Sequence, residues 1–202
     1  MKKLMILALC LTSFIMLNGI TLYLDWGLSE FFGQDVNSAY GISECFGLGV
    51  SHEFPFPYLT YLGQLEPGLR VRTAGATQKN VSPKIDFTYT LGYVEPYIRL
   101  KKNIWFGFSP FIGVGNILLT NAREDAKYKD QEHLNYSIIN KEDYKGSNTT
   151  LMLGIEREFL DMLVVGFEYL RTLNSIKEDS DMYFQTFAIS FGVKFSYLRS
   201  RM

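Results

Sequence analysis

YFQTFAISFGVKFSY, residues 183–197, is the stretch on which the fold turns. Read in steps of two, one register gives Tyr183, Gln185, Phe187, Ile189, Phe191, Val193, Phe195 and Tyr197. The other gives Phe184, Thr186, Ala188, Ser190, Gly192, Lys194 and Ser196. An alternation held this long marks a β-strand, whose successive side chains point to opposite faces. The first face is bulky and apolar, with aromatics near both ends. The second is small and weakly polar. A small face in bulk water would carry many charges, and this one carries a single Lys. The pattern therefore predicts a crowded interior behind the small face and lipid against the bulky one, since Tyr and Phe favour the headgroup level.

The rest of the chain is compatible with that reading. Its 202 residues suffice for one domain with a substantial core. The opening MKKLMILALCLTSFIMLNG has two lysines followed by an apolar run over residues 4–17. That run is too short to cross a bilayer as a helix, so residues 1–19 are read as a secretory signal peptide, with Gly19 before the cut. Cys10 raises the question of lipidation, but Leu9 before it is larger than such a site prefers. Removal of the signal leaves Cys45 alone, which excludes an intramolecular disulfide and a thiolate metal cluster. It also takes the formal charge from -1 to -3, since -1 minus 2 is -3, and this gives no electrostatic case for nucleic acid. No later segment has the roughly twenty continuous apolar residues of a transmembrane helix, so a spanning structure must be a closed barrel.

Weaker copies of the alternation recur upstream. Ile20, Leu22, Leu24, Trp26 and Leu28 alternate with Thr21, Tyr23, Asp25 and Gly27. Ile42, Phe46, Leu48 and Val50 alternate with Gly41, Cys45, Gly47, Gly49 and Ser51, although Glu44 and His52 fall on the apolar face. After the PFP turn at 55–57, Leu59, Tyr61, Leu65, Leu69 and Val71 face away from Glu66, Arg70 and Arg72. A loop is expected near 74–83. In 85–101 the apolar register changes from Phe87, Tyr89, Leu91 and Tyr93 to Val94, Ile98 and Leu100, which predicts a bulge or bend near Glu95 and Pro96. Residues 104–119 alternate again. Residues 121–147 are charged and unpatterned and are expected to form a long surface loop. Two further strands flank a turn at 160–162.

The expected fold is all-β: an eight-stranded antiparallel up-and-down transmembrane β-barrel over residues 20–202. Short turns alternate with longer loops, the asymmetry of outer-membrane barrels. The strand GISECFGLGV, the Gly-rich PFIGVGNILL, the pair LMLGIEREF and LVVGFEYLRT, and the closing FAISFGVKFSY resemble the bacterial outer-membrane β-barrel domain family, the small barrels of the OmpX/OmpA/OmpW type. The resemblance covers nearly the whole mature chain and implies the bacterial cell outer membrane as location, its lipid and the barrel-assembly machinery as partners, and a monomer. That machinery usually meets a terminal aromatic residue, whereas LRSRM follows Tyr197 here.

The registers send Asp25, Glu66, Arg70, Arg72, Asp86, Glu156, Glu158, Glu168 and Lys194 inward. An eight-stranded barrel is only wide enough for side chains to fill, so these groups are expected to plug the lumen by pairing. A gated polar path between Arg70, Arg72, Lys194 and Glu66, Glu168 is the rival. His52 and His133 have no metal-ligand partners, and Ser51, His52 and Glu53 cannot form a triad because neighbours on a strand face opposite ways. GVGN at 113–116 lacks the rest of a dinucleotide fingerprint. No enzyme, cofactor or metal site is expected. The predicted role is structural or surface interaction, with an extracellular ligand taken by loop 121–147. The alternatives are an OmpW-like conduit for small hydrophobic molecules and a secreted lipocalin-like carrier with the aromatic face turned inward.

Overall fold

The computed structural model describes residues 19–34, 36, 40–54, 63–82, 85–104, 106–130, 132–139 and 141–195. Apart from Gly19, the expected signal peptide lies outside the described residues. So do the turn at 55–57, Leu59, Tyr61, and the tail from 196 onward with Tyr197. The strands are β1 (Ile20–Phe32), β2 (Tyr40–His52), β3 (Gln64–Ser82), β4 (Ile85–Lys101), β5 (Phe108–Tyr128), β6 (Tyr136–Ile139), β7 (Ser147–Phe159), β8 (Leu163–Thr172) and β9 (Tyr183–Phe195). Each pairs antiparallel with its neighbours. β1 lies between β2 and β9, β4 pairs with β5, and β5 pairs with β7, so eight strands close into a ring while β6 attaches to β5 outside it. The closing pair runs without interruption from Ile20 opposite Phe195 to Phe32 opposite Tyr183.

The two faces of the barrel divide as the alternation predicts. Leu22, Leu24, Trp26 and Leu28 of β1, Phe46 and Leu48 of β2, and Phe187, Phe191 and Val193 of β9 lie exposed on the outside, with Leu48 65% exposed. Thr21, Asp25, Thr186 and Ala188 are buried inside. Closure pairs each barrel strand on both sides, which is what hydrocarbon requires, and where the β2–β3 register shifts, Phe46 N–H donates to the Thr73 hydroxyl at 3.0 Å. Small inner residues are a steric necessity at the seam: a Cβ on Gly27 would stand 2.1 Å from the Phe187 carbonyl oxygen and 2.6 Å from Ala188 Cα. The three-residue turn after β7 is tight: Met162 N–H donates to the Phe159 carbonyl at 3.1 Å, and Leu160 and Asp161 are both at positive φ, 54° and 55°, as a turn of the primed type requires.

Three expectations need correction. Of the loop expected at 74–83, residues 74–82 are strand, because β3 runs to Ser82 and pairs with β4 as far as Ser82 opposite Ile85, and residue 83 lies outside the described residues. Residues 121–147 are largely ordered: β5 continues to Tyr128 along β4, and β6 folds back with Arg123 opposite Ile139. The change of register expected near Glu95 and Pro96 is not made along β3, since β3 and β4 stay in one register from Gln64 opposite Lys101 to Gln78 opposite Phe87. The irregularity lies on the other side, in β5, where Gly92 faces Asn121 but Tyr93 faces Leu119 and Thr120 is the extra residue. In β4 the odd residues face inward throughout, Leu91 and Tyr93 as well as Glu95, Tyr97, Arg99 and Lys101. What changes near residue 94 is the medium on each side. The inner face passes from apolar to charged while the outer face passes from Thr88 and Thr90 to Ile98 and Leu100, and this imitates a slipped register.

Candidate functional site

Two regions carry the chemistry of the molecule: the filled lumen and a sheet that stands beyond the apolar belt. Nearest the short turns, Lys101 sits among the carboxylates of Glu53, Glu66 and Glu156, with Glu66 Oε2 at 3.0 Å. These three acids converge as metal ligands would, but the ammonium group of Lys101 already stands between them. Arg99 is held by Glu66 and by Glu156 at 3.4 Å. It also donates to the Tyr23 hydroxyl at 3.1 Å and packs over the Phe111 ring at 4.4 Å. At the mouth, Lys194 bridges Glu53 at 2.9 Å and Glu158 at 2.8 Å.

A second cluster lies farther along the axis. Arg70 donates to Glu95 at 2.6 Å and through one nitrogen to both oxygens of Glu168 at 2.6 and 2.9 Å. Arg72 reaches Asp25 at 2.7 Å and Glu168 at 2.9 Å. Tyr97 separates the clusters, its ring 5.0 Å from the Arg70 guanidinium carbon and 5.4 Å from that of Arg99. Arg72 is 1% exposed and Glu66 and Glu95 0%. Isolated charges could not be held there, and sharing each cation between carboxylates is what makes the burial tolerable.

Above the charges the lumen becomes apolar. Leu91, Tyr93, Ile117, Met152, Leu170 and Phe184 form one buried cluster, and Tyr144 packs on it from the loop side. Lys145 N–H donates to the Ile176 carbonyl at 2.8 Å, tying two loops across the mouth, and Lys177 lies 5.0 Å over the Tyr144 ring. Burial pushes the Tyr144 hydroxyl well above the usual tyrosine range, and neighbouring Tyr40 and Glu124 add to the shift. Two interior cavities, one between the charge clusters and one in the apolar layer, have about 10 Å³ each, room for one water.

Of the residues assigned to the interior from sequence, Asp25, Glu66, Arg70, Arg72, Glu156 and Glu168 meet in this network, and Glu158 and Lys194 guard its mouth. Asp86 does not belong to it: it shares the outer face with Lys127 and pairs with Lys129 at 3.2 Å. Glu53, Glu95, Arg99 and Lys101 were missed. For the last three, an unbroken odd register along β4 was the available signal. His52 lies beside Phe54 with ring centroids 4.5 Å apart, turned away from buried Ser51.

The second region is the sheet formed by the far halves of β3, β4 and β5 together with β6. Thr88, Thr90, Arg123, Asp125 and Lys127 share its outer face, so the apolar belt has ended by this level. Its inner face carries Phe87, Tyr89, Ala126, Tyr136 and Ile138. All four residues of β6 are exposed, Ile139 by 73%, and among the described residues β6 pairs with β5 alone.

A closed antiparallel barrel with an apolar exterior and ion pairs at its centre is a transmembrane β-barrel, the inverse of a soluble carrier barrel. Its fold is that of the small bacterial outer-membrane barrels. Neisserial surface protein A superposes with a TM-score of 0.55 at 10% identity, covering 88% of this chain and 98% of that one. Ail, the attachment invasion locus protein of Yersinia pestis, gives 0.48 at 15% identity, covering 88% and 99%. No family model and no curated protein matches the chain.

Proposed function

We propose that this protein is a non-enzymatic monomeric barrel of the bacterial outer membrane, exported with residues 1–19 as its signal, whose role is interaction at the cell surface. The barrel is the rigid scaffold, its lumen plugged by the two charge clusters and the apolar layer. The recognising part is the projecting sheet. The observation that carries this reading is β6: an uncharged strand, Tyr-Ser-Ile-Ile, exposed along its length and, among the described residues, paired on one side only. Soluble sheet edges are usually guarded by Lys, Pro or a covering loop. An edge left bare on a scaffold suits recognition of an extended polypeptide. Neither a conduit nor a carrier is favoured, because an apolar ligand needs a chamber of some hundreds of Å³ and the two interior cavities found among the described residues have about 10 Å³ each.

The test is attachment of cells displaying the protein to immobilised extracellular-matrix proteins. Replacing residues 129–142 by a short Gly-Ser turn should abolish attachment while unboiled protein keeps its fast, heat-modifiable migration in detergent gels. Full attachment by cells carrying the folded deletion would refute the assignment to this sheet.

A further inference from the structure

Arg157 is a cation on the lipid side of the barrel. It lies on β7 between outward-facing Ile155 and Phe159 and opposite Phe108 of β5 and Val165 of β8. Its guanidinium carbon is 4.9 Å from the centre of the Phe108 ring and 4.7 Å from that of Phe159. Two rings thus restrain a planar group that would otherwise sample many rotamers. The acids on either side are committed elsewhere, Glu156 to Lys101 and Arg99 and Glu158 to Lys194. Among the described residues Arg157 forms no ion pair. Each lumen arginine, by contrast, has two carboxylates.

The surroundings fix the depth of this group. Ile155 and, opposite it, Phe167 mark the apolar belt on one side, and the exposed turn of Leu160 and Met162 marks its end on the other. Arg157 is therefore at the boundary between hydrocarbon and headgroups on the short-turn side. The anion that every leaflet presents at this depth is the phosphodiester, and a guanidinium matches its oxygens two at a time. We propose that Arg157, Phe108 and Phe159 form a binding site for one glycerophospholipid, Arg157 taking the phosphate and the rings taking the glycerol and first methylenes of the acyl chains. This anchors the barrel's depth at that leaflet.

The experiment uses the folded full-length protein in dodecyl maltoside, which contains no phosphate. Native mass spectrometry counts adducts with dimyristoyl phosphatidylglycerol, with dimyristoylglycerol and with inorganic phosphate. Wild type should take one phospholipid about tenfold more tightly than Arg157→Gln, the effect of one charge-assisted contact, with Arg157→Lys between them. Phe108→Leu with Phe159→Leu should also weaken the adduct, and Arg171→Gln, on the opposite rim against Phe32, should not. Dimyristoylglycerol, which has no phosphate, should bind wild type, Arg157→Gln and Arg157→Lys alike. Equal phospholipid binding by Arg157→Gln would overturn the site, as would an equal loss in Arg171→Gln. Full competition by inorganic phosphate would make it a free-anion site and refute the lipid assignment.

Discussion

Glu168 accepts from both Arg70 and Arg72, and among the described residues no other carboxylate joins these two strand neighbours. Its replacement by Gln leaves two buried guanidiniums to be neutralised by Glu95 and Asp25 alone. We expect Glu168→Gln to cost about 3 kcal/mol, the usual penalty for breaking a buried pair from one side, read as a lowered urea midpoint in detergent micelles. An unchanged midpoint would mean that the network is not shared as described. Gly27→Ala tests the seam. A methyl group there meets the Phe187 carbonyl at 2.1 Å, and backbone cannot step aside as a side chain can, so a loss of about 1–3 kcal/mol is expected from overpacking. At this scale the sequence spoke clearly through alternate small residues. It was silent on Glu53, whose carboxylate enters the lumen from just beyond the end of β2 to meet Lys101 and Lys194.

Among the elements, β4 and β5 extend well past the membrane, and their outer faces record where it ends. Deleting 129–142 should leave the melting temperature of the barrel unchanged. Deleting 123–145 should lower it by several degrees, because it also removes the buried Ala126, and Tyr144, which packs on the apolar layer. Equal behaviour of the two deletions would show that the projecting sheet contributes nothing to the core. These were the elements least legible in the sequence. A strand in the belt shows one apolar face, and β1 and β9 could be read from that contrast alone. Above the belt, Asp86, Thr88 and Thr90 of β4 and Arg123, Asp125 and Lys127 of β5 face water, so strand and loop look alike in composition. β4 was misread for the same reason: both its media change at one level, and Glu95, Arg99 and Lys101 were lost because the register was taken to flip there, whereas the odd residues of β4 stay inward.

For the whole molecule, the alternation established which way the barrel faces, whereas the layering of the lumen, charged below and apolar above, depended on cross-strand neighbours that no single segment reveals. A lumen closed by both layers should give no stepwise, salt-dependent current when the purified barrel is inserted into a planar bilayer. Regular channel steps would contradict the plug. The more direct test is of the inside and outside themselves. In a Cys45→Ser background, nitroxide labels at Phe187→Cys, Ile189→Cys and Phe191→Cys should relax strongly with oxygen, which concentrates in lipid. Labels at Ala188→Cys and Ser190→Cys should respond weakly to oxygen and to a water-soluble nickel chelate alike. Alternation with a period of two is the predicted result for the vesicle-reconstituted protein, and oxygen accessibility on the even positions or on neither set would contradict a barrel whose bulky face meets lipid.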